Sequence, residues 1–171
     1  MNTLPILNTI SRRAVAAFTA MLALLLMAPA TAHAVDGDRQ VTHLRVRIVT
    51  GSDDLREASH AFAEIKYINL DDDLTSMSQS LNNAQNWPNG STRTVDIALP
   101  AGVLYVNLRE FAIRFQSGQR NPFDTGDNWN LNDIRVTAIL DDGSEALLIQ
   151  DSGNPFYRFK SDHNTRWAWA L

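Results

Sequence analysis

Cysteine is absent from all 171 residues. That excludes disulfides, thiol catalysis and a lipid-modified cysteine, so an apolar core alone must hold the fold. Basic residues are also few. Fifteen Lys and Arg face nineteen Asp and Glu, for a net charge of −4. An acidic balance argues against nucleic acid as a partner. It argues equally against simple electrostatic attachment to anionic lipid. No Gly-x-Ser-x-Gly, no His-Glu-x-x-His and no phosphate-binding glycine loop occurs, so no common hydrolase or nucleotide-binding template applies. Internal repeats and low-complexity tracts are missing too.

Long apolar runs are missing except for one. Residues 14–28 (AVAAFTAMLALLLMA) follow Arg12 and Arg13 and end at Pro29. Fifteen residues fall short of the roughly 20 needed to span a bilayer. Ala32-His33-Ala34 supplies the small-x-small pattern of signal peptidase. Residues 1–34 therefore read as a signal peptide cut before Val35, and the expected location is secreted or periplasmic. Ser11-Arg12-Arg13 resembles a twin-arginine signal, but Ala14-Val15-Ala16 departs from that motif. The general secretory route is favoured. Removing 1–34 takes away two arginines and no acid, so the net charge moves from −4 to −6.

What remains, residues 35–171, is patterned for strands. Leu44, Val46 and Ile48 alternate with Arg45, Arg47 and Val49, the period of a half-buried strand. Residues 61–70, 92–99, 110–116 and 131–139 read the same way, with shorter strands at 146–150, 156–160 and 165–171. Pro88-Asn89-Gly90-Ser91 and Asp141-Asp142-Gly143 are turns. Residues 74–86 are polar and read as a loop or short helix, and 103–108 is ambiguous. About eight short strands without a convincing long amphipathic helix predict an all-β fold, an antiparallel β-sandwich. Its expected core holds Val46, Ile48, Ile65, Val95, Ile97, Phe111, Ile113, Phe115, Ile134 and Val136. The arginines between them (Arg45, Arg47, Arg114, Arg135) solvate a sheet face and discourage edge pairing.

Candidate chemistry is sparse. Of the histidines beyond residue 34, His43 reads as a surface strand residue. His60 and His163 lie near carboxylates and suit a general base, but no nucleophile stands beside them. A glycosidase needs two carboxylates in a cleft, and nineteen acids give no selection. Loop carboxylates are more informative. Asp53 and Asp54 follow Gly51, while Asp124, Asp127 and Asn128 precede a later strand. Calcium takes six to eight hard oxygens from such loops, although Asp and Asn also cap ordinary turns. Among the tryptophans, Trp129 opens a strand and reads as core. Trp87, within Asn86-Trp87-Pro88-Asn89, either fills the core or stacks on a ligand, and it is the ligand-binding candidate.

Two segments resemble the PLAT module, named for polycystin, lipoxygenase and alpha-toxin. Residues 44–65 (LRVRIVTGSDDLREASHAFAEI) are similar to its opening strand, Thr-Gly step, acidic loop and second strand. Residues 127–136 (DNWNLNDIRV) are similar to its later Asp-Asn and Trp-x-Leu signature. The resemblance implies an eight-stranded sandwich that binds lipid, membrane surfaces or protein partners, sometimes through calcium. By position it implies Gly51, Ser52, Asp53 and Asp54 as calcium-loop residues, with Asp127 and Asn128 opposite. One stretch departs from the pattern. Where the family usually has Gly-Thr-Asp or Gly-Gly before strand two, this chain has Glu57-Ala58-Ser59-His60. The expectation is a non-enzymatic binding module. The alternatives are a carbohydrate-binding sandwich using Trp87 and a small secreted hydrolase.

Overall fold

A computed structural model describes residues 36–171 apart from Arg120 and Asp124. The signal segment 1–34 lies outside the described residues. Alternation places every second residue of each strand on one face, and two such faces close on each other. One sheet has the order β4-β1-β6-β7 and the other β3-β2-β5-β8, with all pairings antiparallel. The strands are β1 (Val41–Thr50), β2 (His60–Ile68), β3 (Leu74–Ser80), β4 (Thr92–Ala98), β5 (Leu108–Gln116), β6 (Trp129–Leu140), β7 (Glu145–Phe159) and β8 (Arg166–Ala170). The described residues belong to one compact unit. Their only helical element is a 3-10 turn at Tyr105–Asn107, so no described helix is long and apolar enough to cross a membrane.

The core lies between the sheets. Leu44, Val46 and Ile48 of β1 and Ile134, Val136 and Ala138 of β6 face Ala63 and Ile65 of β2 and Phe111, Ile113 and Phe115 of β5, all buried. Each large side chain among them contributes about 1.5–3 kcal/mol by leaving water. Nine of the ten expected core residues are buried. Val95 is half-buried and packs against the core from edge strand β4.

Two stretches differ from their sequence pattern. Residues 74–80 form strand β3, although the polar stretch 74–86 reads as a loop or short helix. At the sheet edge the backbone ladder to β2 suffices, and only Met77 packs on the core. Strand β7 is also one continuous element where two short strands were expected. It carries its polar middle past β6 through a register shift opposite Leu131 and Asp133.

Strand arginines occupy both outer faces. Arg45 pairs with Asp96 and Glu145, and Arg47 with Asp133. On the other sheet Glu64 takes Arg114 and Arg166, and Glu110 takes Lys66 and Arg166.

The topology sorts the loops into two ends. Loops 51–59, 81–91, 117–128 and 160–165 gather at one, here the upper end. Loops 69–73, 99–107 and 141–144 gather at the other, the lower end.

Candidate functional site

Both acidic loops named by the sequence lie at the upper end, and hydrogen bonds tie them together. Gly51 N–H donates to the Asn130 carbonyl at 2.8 Å, and Asn130 N–H donates to the Asp53 carbonyl at 3.1 Å. The Asn130 side-chain amide donates to Ser52 Oγ at 3.1 Å. Gly51 is required by this close approach, because a Cβ there would sit 2.3 Å from Asn132 Oδ1 and 2.9 Å from Asn130 Cβ. Asn128 Oδ1 accepts from Ser161 N–H at 3.3 Å. Asn82 pins a third loop, with its Oδ1 accepting from Ala61 N–H and its amide donating to the Ser59 and Gln85 carbonyls.

Trp87 belongs to the core. It is 3% exposed, and its backbone pairs with Leu55. Its ring meets Trp129 edge-on at 5.8 Å, and Trp129 stacks on Phe159 at 5.2 Å. With Phe115 and Tyr157 these rings close the upper end of the core. Trp87 therefore offers no open ring face to a sugar or a membrane. The Trp129 indole N–H donates to the Thr50 hydroxyl, which spares a buried polar pair.

Calcium fits these loops poorly as they stand. Asp127 is fully buried, and its Oδ2 accepts from the Arg56 backbone N–H at 3.1 Å. Its Oδ1 lies 3.2 Å from Arg56 Nε, an ion pair without an aligned hydrogen bond. Burial pushes the Asp127 pKa up, against the Ser59 hydroxyl and the Arg56 amide and charge, while the Asp54 charge raises it further. Asp53 is held by Arg158 at 2.8 Å. Calcium needs carboxylate charge to bind well, and both of these carboxylates already carry a guanidinium. Asp54 alone has no partner among the described residues. Ser91 Oγ, Asn130 Oδ1 and Asn132 Oδ1 are buried without hydrogen bonds, but they are neutral and add no charge. Among the described residues, no three His, Asp or Glu side chains converge as a metal site would require.

Among the described residues, the histidines show no catalytic arrangement. His60 stacks on Phe62, His43 meets the Thr42 hydroxyl, and His163 pairs with its neighbour Asp162 at the surface. Arg158, Lys160, Asp162 and His163 line an open polar hollow beside Asn128. Near it on loop 117–128, Phe123 is 95% exposed.

At the lower end the chemistry reverses. Leu70 and Leu74 are 76% and 64% exposed, and Val106 is exposed as well. Leu70 lies against Gly102, where a Cβ would fall 2.7 Å from the leucine side chain. The same 99–107 segment carries Tyr105 into a groove of about 230 Å³ lined by Leu108, Leu147, Leu148, Ala170 and Leu171. Acids share this end. Asp71, Asp72 and Asp73 separate the two leucines, and Asp141 and Asp142 hold Arg39. Sequence reading passed over this surface because each of its apolar residues sits alone in a polar or ambiguous stretch. They meet only when the loops gather.

No family model matches this chain, and no curated protein does. Solved structures do match. The sandwich resembles part of a clostridial alpha-toxin. Alpha toxin from Clostridium absonum superposes with a TM-score of 0.55 at 17% identity, covering 83% of this chain and 34% of the toxin. The alpha-toxin of Clostridium perfringens from an avian strain gives 0.48 at 21% identity, covering 73% and 33%. This chain thus spans about a third of the length of either toxin. The first match establishes likeness of fold.

Proposed function

We propose that this chain is an exported, non-catalytic binding module of PLAT type that docks on a lipid surface through its lower end. The observation that carries this is the exposed pair Leu70 and Leu74, which share the lower end with exposed Val106 and the Tyr105–Leu147–Leu171 groove. Several large aliphatic side chains standing in water at one end of a small sandwich mark a contact surface. The acidic rim favours zwitterionic over anionic lipid, in keeping with the overall negative charge. Likeness of fold to part of an alpha-toxin supports the module type.

Flotation with phosphatidylcholine vesicles tests the reading. The parent should float with the vesicles, and Leu70→Ser with Leu74→Ser should weaken partition about tenfold or more. Each leucine gains about 1.5–3 kcal/mol when fully buried, and 1.4 kcal/mol is tenfold in binding. A parent that stays with the soluble fraction, or a double variant that floats equally well, would refute it. A second reading, a protein partner, draws on the same rim. Asp71, Asp72 and Asp73, exposed at the same end as the apolar groove, suit an apolar segment flanked by basic residues, and such a peptide binding to vesicle-inert protein would favour it.

A further inference from the structure

We propose that Arg56 is the resident cation of the upper loops, standing at Asp127 in place of a divalent ion, so that calcium has no role until this arginine is removed. The inference is independent of what the lower end binds. Three observations support it. First, Asp127 is fully buried, and a buried carboxylate requires a compensating charge. Arg56 supplies that charge through Nε at 3.2 Å and adds its own backbone N–H at 3.1 Å. Second, the compensation is incomplete. Asp127 Oδ1 receives no aligned hydrogen bond, which is the unfilled valence a metal would use. Third, Asp54 contributes a second carboxylate close enough for its charge to act on Asp127. With Arg56 in place the group carries a net charge of about −1. Without it the buried Asp127 charge would stand uncompensated within reach of the Asp54 charge, and a hard divalent ion could take the arginine's place.

Thermal unfolding of the purified protein, in millimolar calcium against magnesium at equal ionic strength, tests the proposal. The parent should melt at the same temperature in both. Arg56→Ala should melt lower in magnesium, and calcium should raise it by at least about 3 °C. Adding Asp127→Asn to Arg56→Ala should abolish that rise. Arg56→Lys should keep the parent's indifference to calcium. A calcium-specific rise in the parent that Asp127→Asn removes would overturn the proposal. So would an Arg56→Ala protein that folds and ignores calcium. If Arg56→Ala does not fold, Arg56→Gln keeps part of the side-chain stem and is read in the same way, and the parent's own response still decides.

Discussion

The two ends of this sandwich are built on opposite principles. The upper end buries its polar groups: Thr50, Ser59, Asn82, Asp127 and Asn130 are all inside, each tied to a neighbouring loop, above a plug of stacked aromatic rings. The lower end leaves apolar groups outside: Leu70, Leu74, Val106 and Leu147 stand in water, and few specific bonds fix them. A buried polar network holds one geometry, because any loosened member forfeits its hydrogen bonds in a low-dielectric setting. An exposed apolar surface costs little to rearrange and gains by being covered. The upper end therefore reads as the structural keystone, and the lower end is where a contact is proposed. Phe123 is the upper end's exception.

The largest expected effect tests the keystone. Trp129→Ala should cost about 3–5 kcal/mol in denaturant unfolding. It opens a cavity beside Phe159, Phe115 and Trp87 and strands the buried Thr50 hydroxyl. Leu70→Ser with Leu74→Ser should stay within about 0.5 kcal/mol of the parent, as surface changes usually do. Equal losses at the two ends would erase the contrast.

A smaller effect sharpens it. Gly118 meets loop 51–59 backbone to backbone, and a Cβ there would lie 1.8 Å from the Ala58 carbonyl oxygen. Gly118→Ala must push the two loops apart and should cost about 1–3 kcal/mol. Gly143→Ala tests the lower end. Its φ of +82° suits the hairpin turn, but a Cβ there meets open space, so only backbone strain of about 1–2 kcal/mol is added. If Gly118→Ala is silent, the upper loops yield more readily than their packing implies.

These contrasts explain what the sequence disclosed. Period-2 alternation needs only local pattern, so β1, β5 and β6 and their buried residues were legible from residue order alone. Strand β3 was not, because an edge strand can be polar on both faces once its backbone is paired. The two acidic loops share one end, as alternate loops of a sandwich do, and contacts from Asn130 to Asp53 and from Arg56 to Asp127 join them. Their chemistry was not legible. Nothing in the run Asp53-Asp54-Leu55-Arg56 says that the arginine folds back on Asp127, 71 residues later. For Trp87, set among polar neighbours, the sequence left core filling and ligand stacking open, and its backbone bridge to Leu55 draws it inside. The apolar lower end is a product of topology, assembled from residues on two separate loops, 69–73 and 99–107, and at the ends of strands β3, β5, β7 and β8.

The smallest expected effect concerns acid, and the two ends should answer it with opposite sign. At the lower end, the hydroxyl and backbone N–H of Ser144, with help from Arg39, hold the Asp142 pKa to about 2. An unfolded aspartate titrates near 3.8. A carboxylate with a depressed pKa contributes stability above its unfolded value and loses it as pH falls from about 3.8 to about 2. At the upper end, burial raises the Asp127 pKa. The folded chain then binds more protons than the unfolded chain just above pH 3.8, so this group's contribution weakens as pH climbs through that window. Asp142→Asn should therefore lower the melting temperature slightly at pH 5, with the gap from the parent closing at pH 2. Asp127→Asn should differ from the parent in the other sense, losing least at the higher pH, where the parent's buried charge is a burden. Melting curves of both variants and the parent across pH 2–6 would show this. If the Asp142→Asn gap is as wide at pH 2 as at pH 5, the Ser144 and Arg39 contacts do not hold that carboxylate, and the lower hairpin is fixed by its turn alone.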